Sequence, residues 1–229
     1  MRFVRDNGLS LFFLVLFLVV LVAQAIAGHA LYNDEEIAHA RLLHQHPETL
    51  TMWRYVTSSS FGQAVMENWQ SEYLQFTIFI LTGVWLVQKG STESKRLDAV
   101  GTETEEEQKI GAHALKSSPK WAKAGGLRLW LLSNSLLLIM GVIWIGSWFG
   151  QSVTGWNVYN ADQIQHLQPT VDWLGYVGSA DFWEATLQNW QSEFLAVGSM
   201  AIFSVYLRQR GSSQSKPVGA PHHATAEEG

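Results

Sequence analysis

FGQAVMENWQSEYLQ occupies residues 61–75 and FWEATLQNWQSEFLA residues 182–196, and the two align without a gap when 121 is added to the first. The pentapeptide NWQSE stands intact in both, at 68–72 and 189–193. The same register continues to GSTESK at 90–95 and GSSQSK at 211–216. Nearer the N-terminus a register of 127 pairs Asn7 with Asn134, Gln24 with Gln151, Gly28 with Gly155, Tyr32 with Tyr159, Asn33 with Asn160, Ile37 with Ile164 and His39 with His166. The step from 127 to 121 implies a six-residue deletion in the second copy, between His166 and Phe182. Chance does not reproduce such a pattern, so the chain reads as two tandem copies of one unit.

Each copy holds two apolar runs. Residues 9–27 contain no charge, and 19 positions at about 1.5 Å each reach roughly 28 Å, close to the hydrocarbon thickness of a bilayer. Residues 129–149 do the same. The runs at 73–87 and 194–207 are too brief to span until the residues back to Trp69 and Trp190 are counted, which brings in Gln70, Ser71 and Glu72, and Gln191, Ser192 and Glu193. A carboxyl group then lies near or inside one interface. Arg2, Arg5, the first apolar run and the small residues at 23–27 also fit a cleaved signal peptide. The matching segment of the second copy is internal, which favours a permanent helix. The expected fold is an all-α membrane protein of four transmembrane helices, arranged as two parallel two-helix repeats with short outer-side interfacial helices.

Two spans per copy return the chain to the side it left, so both copies run the same way, related by a twofold along the membrane normal. Arg41 and Arg54 are the only basic residues between the spans on one side, and the rest of the Lys and Arg lie on the other. Basic residues mark the cytoplasmic face, so both termini and the central loop are expected there. The division is 1–95 for the first repeat, 96–127 for a flexible linker, 128–210 for the second repeat and 211–229 for a disordered tail. Asn33 followed by Glu36, and Asn160 followed by Gln163, predict the caps of two short outer helices. Ser60 with Gln63 and Asp181 with Glu184 predict the starts of the second and fourth helices. Trp53, Trp69, Trp173, Trp183 and Trp190 are expected at the outer headgroups, with Trp69 and Trp190 as the matched anchors.

Composition narrows the function. The absence of cysteine removes disulfides, thiolate-bound zinc, iron–sulfur clusters and a nucleophilic thiol together, and a net charge of −5 argues against nucleic acid. No nucleophile elbow, zinc-protease, phosphate-loop or dinucleotide pattern occurs, so no enzyme activity and no cofactor are expected. The polar residues worth testing are Asn68 with Glu72, Asn189 with Glu193, and Gln24 with Gln151. They form either a cation or proton site, in which paired carboxylates share a proton, or hydrogen-bonding glue between helices. His39 and His166 occupy matched places, which raises a bis-imidazole metal or haem site, but no haem-attachment motif occurs and His44 and His46 add imidazoles in the first copy only, so no metal is expected. Gly83, Gly198, Ala201 and Ser204 permit close helix approach.

The doubled NWQSE, the span after it and the closing GS-x-x-SK resemble an uncharacterised family of small bacterial membrane proteins that carry this signature twice. The resemblance covers nearly the whole chain apart from the central linker and the tail. It implies a multi-pass protein of the bacterial cytoplasmic (inner) membrane and carries no activity, substrate or catalytic residue. The expected role is therefore non-enzymatic, a four-helix bundle in the lipid bilayer acting by packing or through a protein partner or second copy. The other reading is a small ion or proton pathway through Glu72 and Glu193.

Overall fold

The computed structural model describes residues 2–226, and its regular elements there are all helical. In chain order they are α1 (Arg2–Asp6), α2 (Gly8–Leu43), α3 (Met52–Val56), α4 (Ser59–Thr82), α5 (Gly126–Ser133), α6 (Ser135–Gln165), α7 (Trp173–Val177) and α8 (Ala180–Tyr206). Three short 3-10 turns lie between α4 and α5. Two of these helices, α2 and α6, are long and apolar enough to cross a membrane. With NWQSE in their middle, α4 and α8 do not meet that standard, so the four spans expected from the repeat reduce to two on length and composition.

The chain divides into two compact units, Met1–Val65 with Gly150–Val177, and Met66–Phe149 with Gly178–Gly229. In the first, α2 runs for 36 residues without proline and stops where His44 enters the left-handed region at φ 56°, its N–H returning to the carbonyls of Ala40 and Arg41. Asn33 and Asn160 therefore lie inside long helices and do not cap new ones. The expected short helices are instead α3 and α7, downstream of each turn. Each Asn does a different job, clasping the backbone of the segment that leads into the next helix. Asn33 Oδ1 accepts from Leu50 N–H at 2.7 Å while its Nδ2 donates to Leu50 O at 3.0 Å. Asn160 treats Val171 identically, at 2.9 Å in both directions. One turn earlier a ring N–H reinforces each clasp: His29 Nε2 donates to Leu50 O at 2.7 Å, and Trp156 Nε1 to Val171 O at 2.8 Å.

Tyr55 and Tyr176 close the two corners. Each is buried, each packs its ring on a helical tyrosine (Tyr32 at 5.9 Å, Tyr159 at 5.4 Å between centroids), and each sets its hydroxyl over a glycine, Gly28 or Gly155. Burial raises the Tyr55 phenol above its ordinary pKa, so the ring stays neutral in the packed corner.

In the second unit α8 starts at the cap of Ser179, whose Oγ accepts from Phe182 N–H at 3.2 Å. Ser58, 121 positions earlier, accepts likewise from Phe61 N–H at 3.3 Å in the first unit. The caps are thus these serines, and not the predicted Ser60 and Asp181. The expected helices of about 28 residues are 24 residues in α4 and 27 in α8. At the far ends the GS-x-x-SK segments make matching turns: Ser94 Oγ accepts from Gln88 N–H, and Ser215 Oγ from Gln209 N–H, at 2.8 and 2.9 Å. The lysine that closes each turn reaches backbone carbonyls. Lys95 donates to Gly101 O at 2.8 Å and pairs with Glu103, whose carboxyl is held below its usual pKa chiefly by that bond. Lys216 is buried and donates to the carbonyls of Pro221, His222 and Ala224. Of the tail expected at 211–229, residues 227–229 lie outside the described residues; in the described part Thr225 Oγ1 accepts from Gly90 N–H and Ala226 N–H donates to Ser91 O.

Glycines beneath the tyrosine corners and glycines elsewhere in α6 predict opposite outcomes. A Cβ at Gly28 or Gly155 would overlap the hydroxyl of Tyr55 or Tyr176, whereas one at Gly141 or Gly146 meets nothing within 4 Å. Gly28→Ala and Gly155→Ala should each destabilise by about 1–3 kcal/mol through overpacking. Gly141→Ala and Gly146→Ala should be neutral or stabilising by up to about 1 kcal/mol. Thermal melts of the four purified variants check this.

Candidate functional site

NWQSE sits midway along α4 and α8, where a helix turns one residue in every three or four toward any given neighbour. Within the second unit the two pentapeptides meet unequally. Gln70 and Ser71 on α4 are fully buried, while their counterparts Gln191 and Ser192 on α8 are exposed. Trp190 Nε1 donates to Gln70 Oε1 at 2.7 Å, which fixes the orientation of the amide. Ser71 Oγ donates to Asn68 O at 3.0 Å and lies 3.4 Å from Glu193 Oε1, a long contact for a hydroxyl. Ser192 Oγ turns back to Asn189 O at 2.8 Å, a bond within its own helix.

Aromatic rings wall this junction. Trp148 of α6 packs against Trp190 at 5.7 Å, Trp183 at 6.0 Å and Phe182 at 6.2 Å between centroids, and stacks on Trp144 at 6.2 Å. Such offset and edge contacts add about 0.5–1.5 kcal/mol each beyond the area they bury. The indole N–H groups of Trp144 and Trp148 and Gln70 Nε2 are buried without a hydrogen-bond acceptor.

The predicted residues separate as follows. Glu193 is half-buried beside Ser71, whereas Glu72 is exposed. Asn189 Nδ2 donates to Ala185 O at 2.8 Å on its own helix, and Asn68 is exposed on α4. Gln24 is half-buried and Gln151 fully buried, and both belong to the first unit. Trp190, expected among headgroups, turns its N–H to Gln70, and Trp69 is half-buried. Trp173 of α7 likewise turns inward, to Ser152 Oγ at 3.1 Å in the first unit.

His39 faces a pocket of the first unit with Glu36, His46 and Glu48, while His166 is exposed and bonds Asp162 O at 2.9 Å. Among the described residues no three His, Asp or Glu side chains are grouped to hold a metal ion. Sequence reasoning passed over Gln70 and Ser71 in favour of the charged member of the pentapeptide. The available signal was their identity in both copies, which a helix surface bathed in lipid does not require.

Equal residues in unequal places give a direct test. Gln70→Ala should cost about 2 kcal/mol, because Trp190 loses its acceptor inside the unit. Gln191→Ala, at an exposed position of the same pentapeptide, should stay within about 0.5 kcal/mol of the parent. Chemical denaturation monitored by Trp fluorescence measures both.

The model of a domain of unknown function matches residues 1–227, almost the full length of the sequence. No curated protein and no solved structure matches the chain. A single family model thus covers both units and every helix described above, and the chain belongs to the DUF6766 family, a domain of unknown function.

Proposed function

We propose that this chain is a multi-pass membrane protein that performs no catalysis and acts by helix packing, within itself and with another protein chain. The observation that carries the reading is α2, whose most apolar 18-residue stretch has none of its residues buried. Phe12, Val15, Val19 and Val22 are each more than half exposed. A run of that length left in water would cost tens of kcal/mol at about 25 cal/mol per Å², so it calls for lipid or protein around it. The positional matches support the tandem repeat and, through it, two further spans in α4 and α8. Matched residues make matched bonds in the Asn clasps, the tyrosine corners, the serine caps and the GS-x-x-SK turns.

The reading places the protein in a bacterial cytoplasmic membrane, with both termini and the central loop in the cytoplasm. A proton or cation pathway through Glu72 and Glu193 is the weaker reading, because it needs both carboxyl groups in one enclosed site and Glu72 is exposed.

Two measurements test the proposal. In the cysteine-free chain, Thr49→Cys should react with a membrane-impermeant maleimide on intact cells and Ser117→Cys only after permeabilisation; the reverse pattern would overturn the orientation. A photo-crosslinking residue at Phe12 should yield a discrete protein adduct in native membranes. If only lipid adducts form there and at Val19, the partner is lost from the proposal.

A further inference from the structure

In the second unit a pocket of about 320 Å³ lies between α4 and α8, at the lower end of the roughly 300–1,000 Å³ that ligand sites occupy. Gln75, Phe76 and Phe79 of α4 and Ala196, Val197 and Met200 of α8 line it, the same three positions taken 121 apart. Glu93 and Gln214, also 121 apart, complete the lining from the GS-x-x-SK turns, where their backbone N–H groups bond Ser91 Oγ and Ser212 Oγ at 3.1 Å. The match in position is a mismatch in size. Where α4 carries Gln75 and Phe76, α8 carries the smaller Ala196 and Val197, and the gap between them stays unfilled.

Most of the lining is apolar. Phe76, Phe79, Val197 and Met200 offer ring surfaces, methyl groups and a thioether, on which a flat or branched apolar body packs. Glu93 already takes part in an interaction of its own and is not needed to hold a ligand. Gln75 differs from its neighbours, because its Oε1 is buried and receives no hydrogen bond. A carbonyl oxygen is satisfied only by a donor, and no protein group supplies one here, so the matching occupant brings its own. A hydroxyl does so without adding a charge. Phe76 and Met200 are 45% and 40% exposed, which leaves the pocket open to entry from the surface of the unit. We propose that this pocket binds small neutral phenols and alcohols, the apolar body lying among Phe76, Phe79 and Met200 and the hydroxyl donating to Gln75 Oε1.

The probes are para-hexylphenol and para-hexylanisole, which share an apolar body and differ in that the ether cannot donate. The full chain is placed in phosphatidylcholine nanodiscs, and uptake of each probe is measured by equilibrium dialysis against empty discs, which removes partition into lipid. Saturable one-to-one binding of the phenol is expected, about tenfold tighter than that of the ether, because the ether leaves the buried oxygen without its donor. Gln75→Leu should lower the affinity for the phenol to that for the ether and leave the ether unchanged. Met200→Trp, which fills the space, should abolish binding of both. Equal affinity for the two probes in the parent would overturn the proposal, as would uptake no greater than that of empty discs. A phenol preference that survives Gln75→Leu, or binding that survives Met200→Trp, refutes it as well. Should either variant fail to fold, competition in the parent decides. Displacement of the phenol by para-hexylcyclohexanol and not by hexylbenzene supports a hydroxyl site; equal displacement by both sinks it.

Discussion

A polar group inside an apolar helix must find a partner, and in this molecule the partner is most often the backbone of the segment that follows. Asn33 and Asn160 show the constraint most plainly: each offers one acceptor and two donors, and each spends them on the N–H and C=O of a single loop residue. A residue in a tight turn between helices cannot use the helical ladder for its own peptide groups, so a side chain that satisfies both also dictates where the chain turns. The tyrosine corners, the serine caps and the direction of α3 and α7 follow from that anchor. The lysines closing the GS-x-x-SK turns obey the same rule at the opposite ends, with ammonium groups gathering carbonyls that have no helix to complete.

Much of this was legible before any coordinates. Length and apolarity place α2 and α6, and the repeat registers identify which residues are equivalent. What resisted reading was the job of each equivalent residue. Asn33 followed by Glu36 has the form of a helix cap, but the apolar periodicity continues unbroken through Ala38 and Ala40, and the helix runs on to Leu43 with the amide turned outward to Leu50. Local sequence cannot distinguish the two uses, because the loop partner lies 17 residues away. Ser58 and Ser179 were hidden for a simpler reason: capping requires only an oxygen two or three residues before a free N–H, and Ser59 and Ser60 beside Ser58, and Asp181 beside Ser179, offer one as well.

The candidate site was legible by residue type but not by geometry. Reasoning from charge drew attention to Glu72 and Glu193, whereas the amide and hydroxyl beside them form the buried junction in α4. Which face of a helix is buried depends on rotation about its axis, and a pentapeptide spans more than a full turn, so NWQSE fits several rotations equally well. The tail shows the limit of composition. A segment rich in Gly, Ser and Pro reads as disordered, and its composition gives no sign that Lys216 reaches three backbone carbonyls.

The unequal burial of the two NWQSE pentapeptides has a consequence for how such a chain can change over time. In a dimer of identical single units, any alteration at the Gln position would be made twice and would have to suit both sides of the junction at once. On one continuous chain Gln70 and Gln191 are separate letters. The first can commit to Trp190 while the second is released to the surface, and a phenylalanine can shrink to valine on one side alone. Two halves carried on one chain are under no obligation to be self-complementary, so the two sides of such a junction are free to differ.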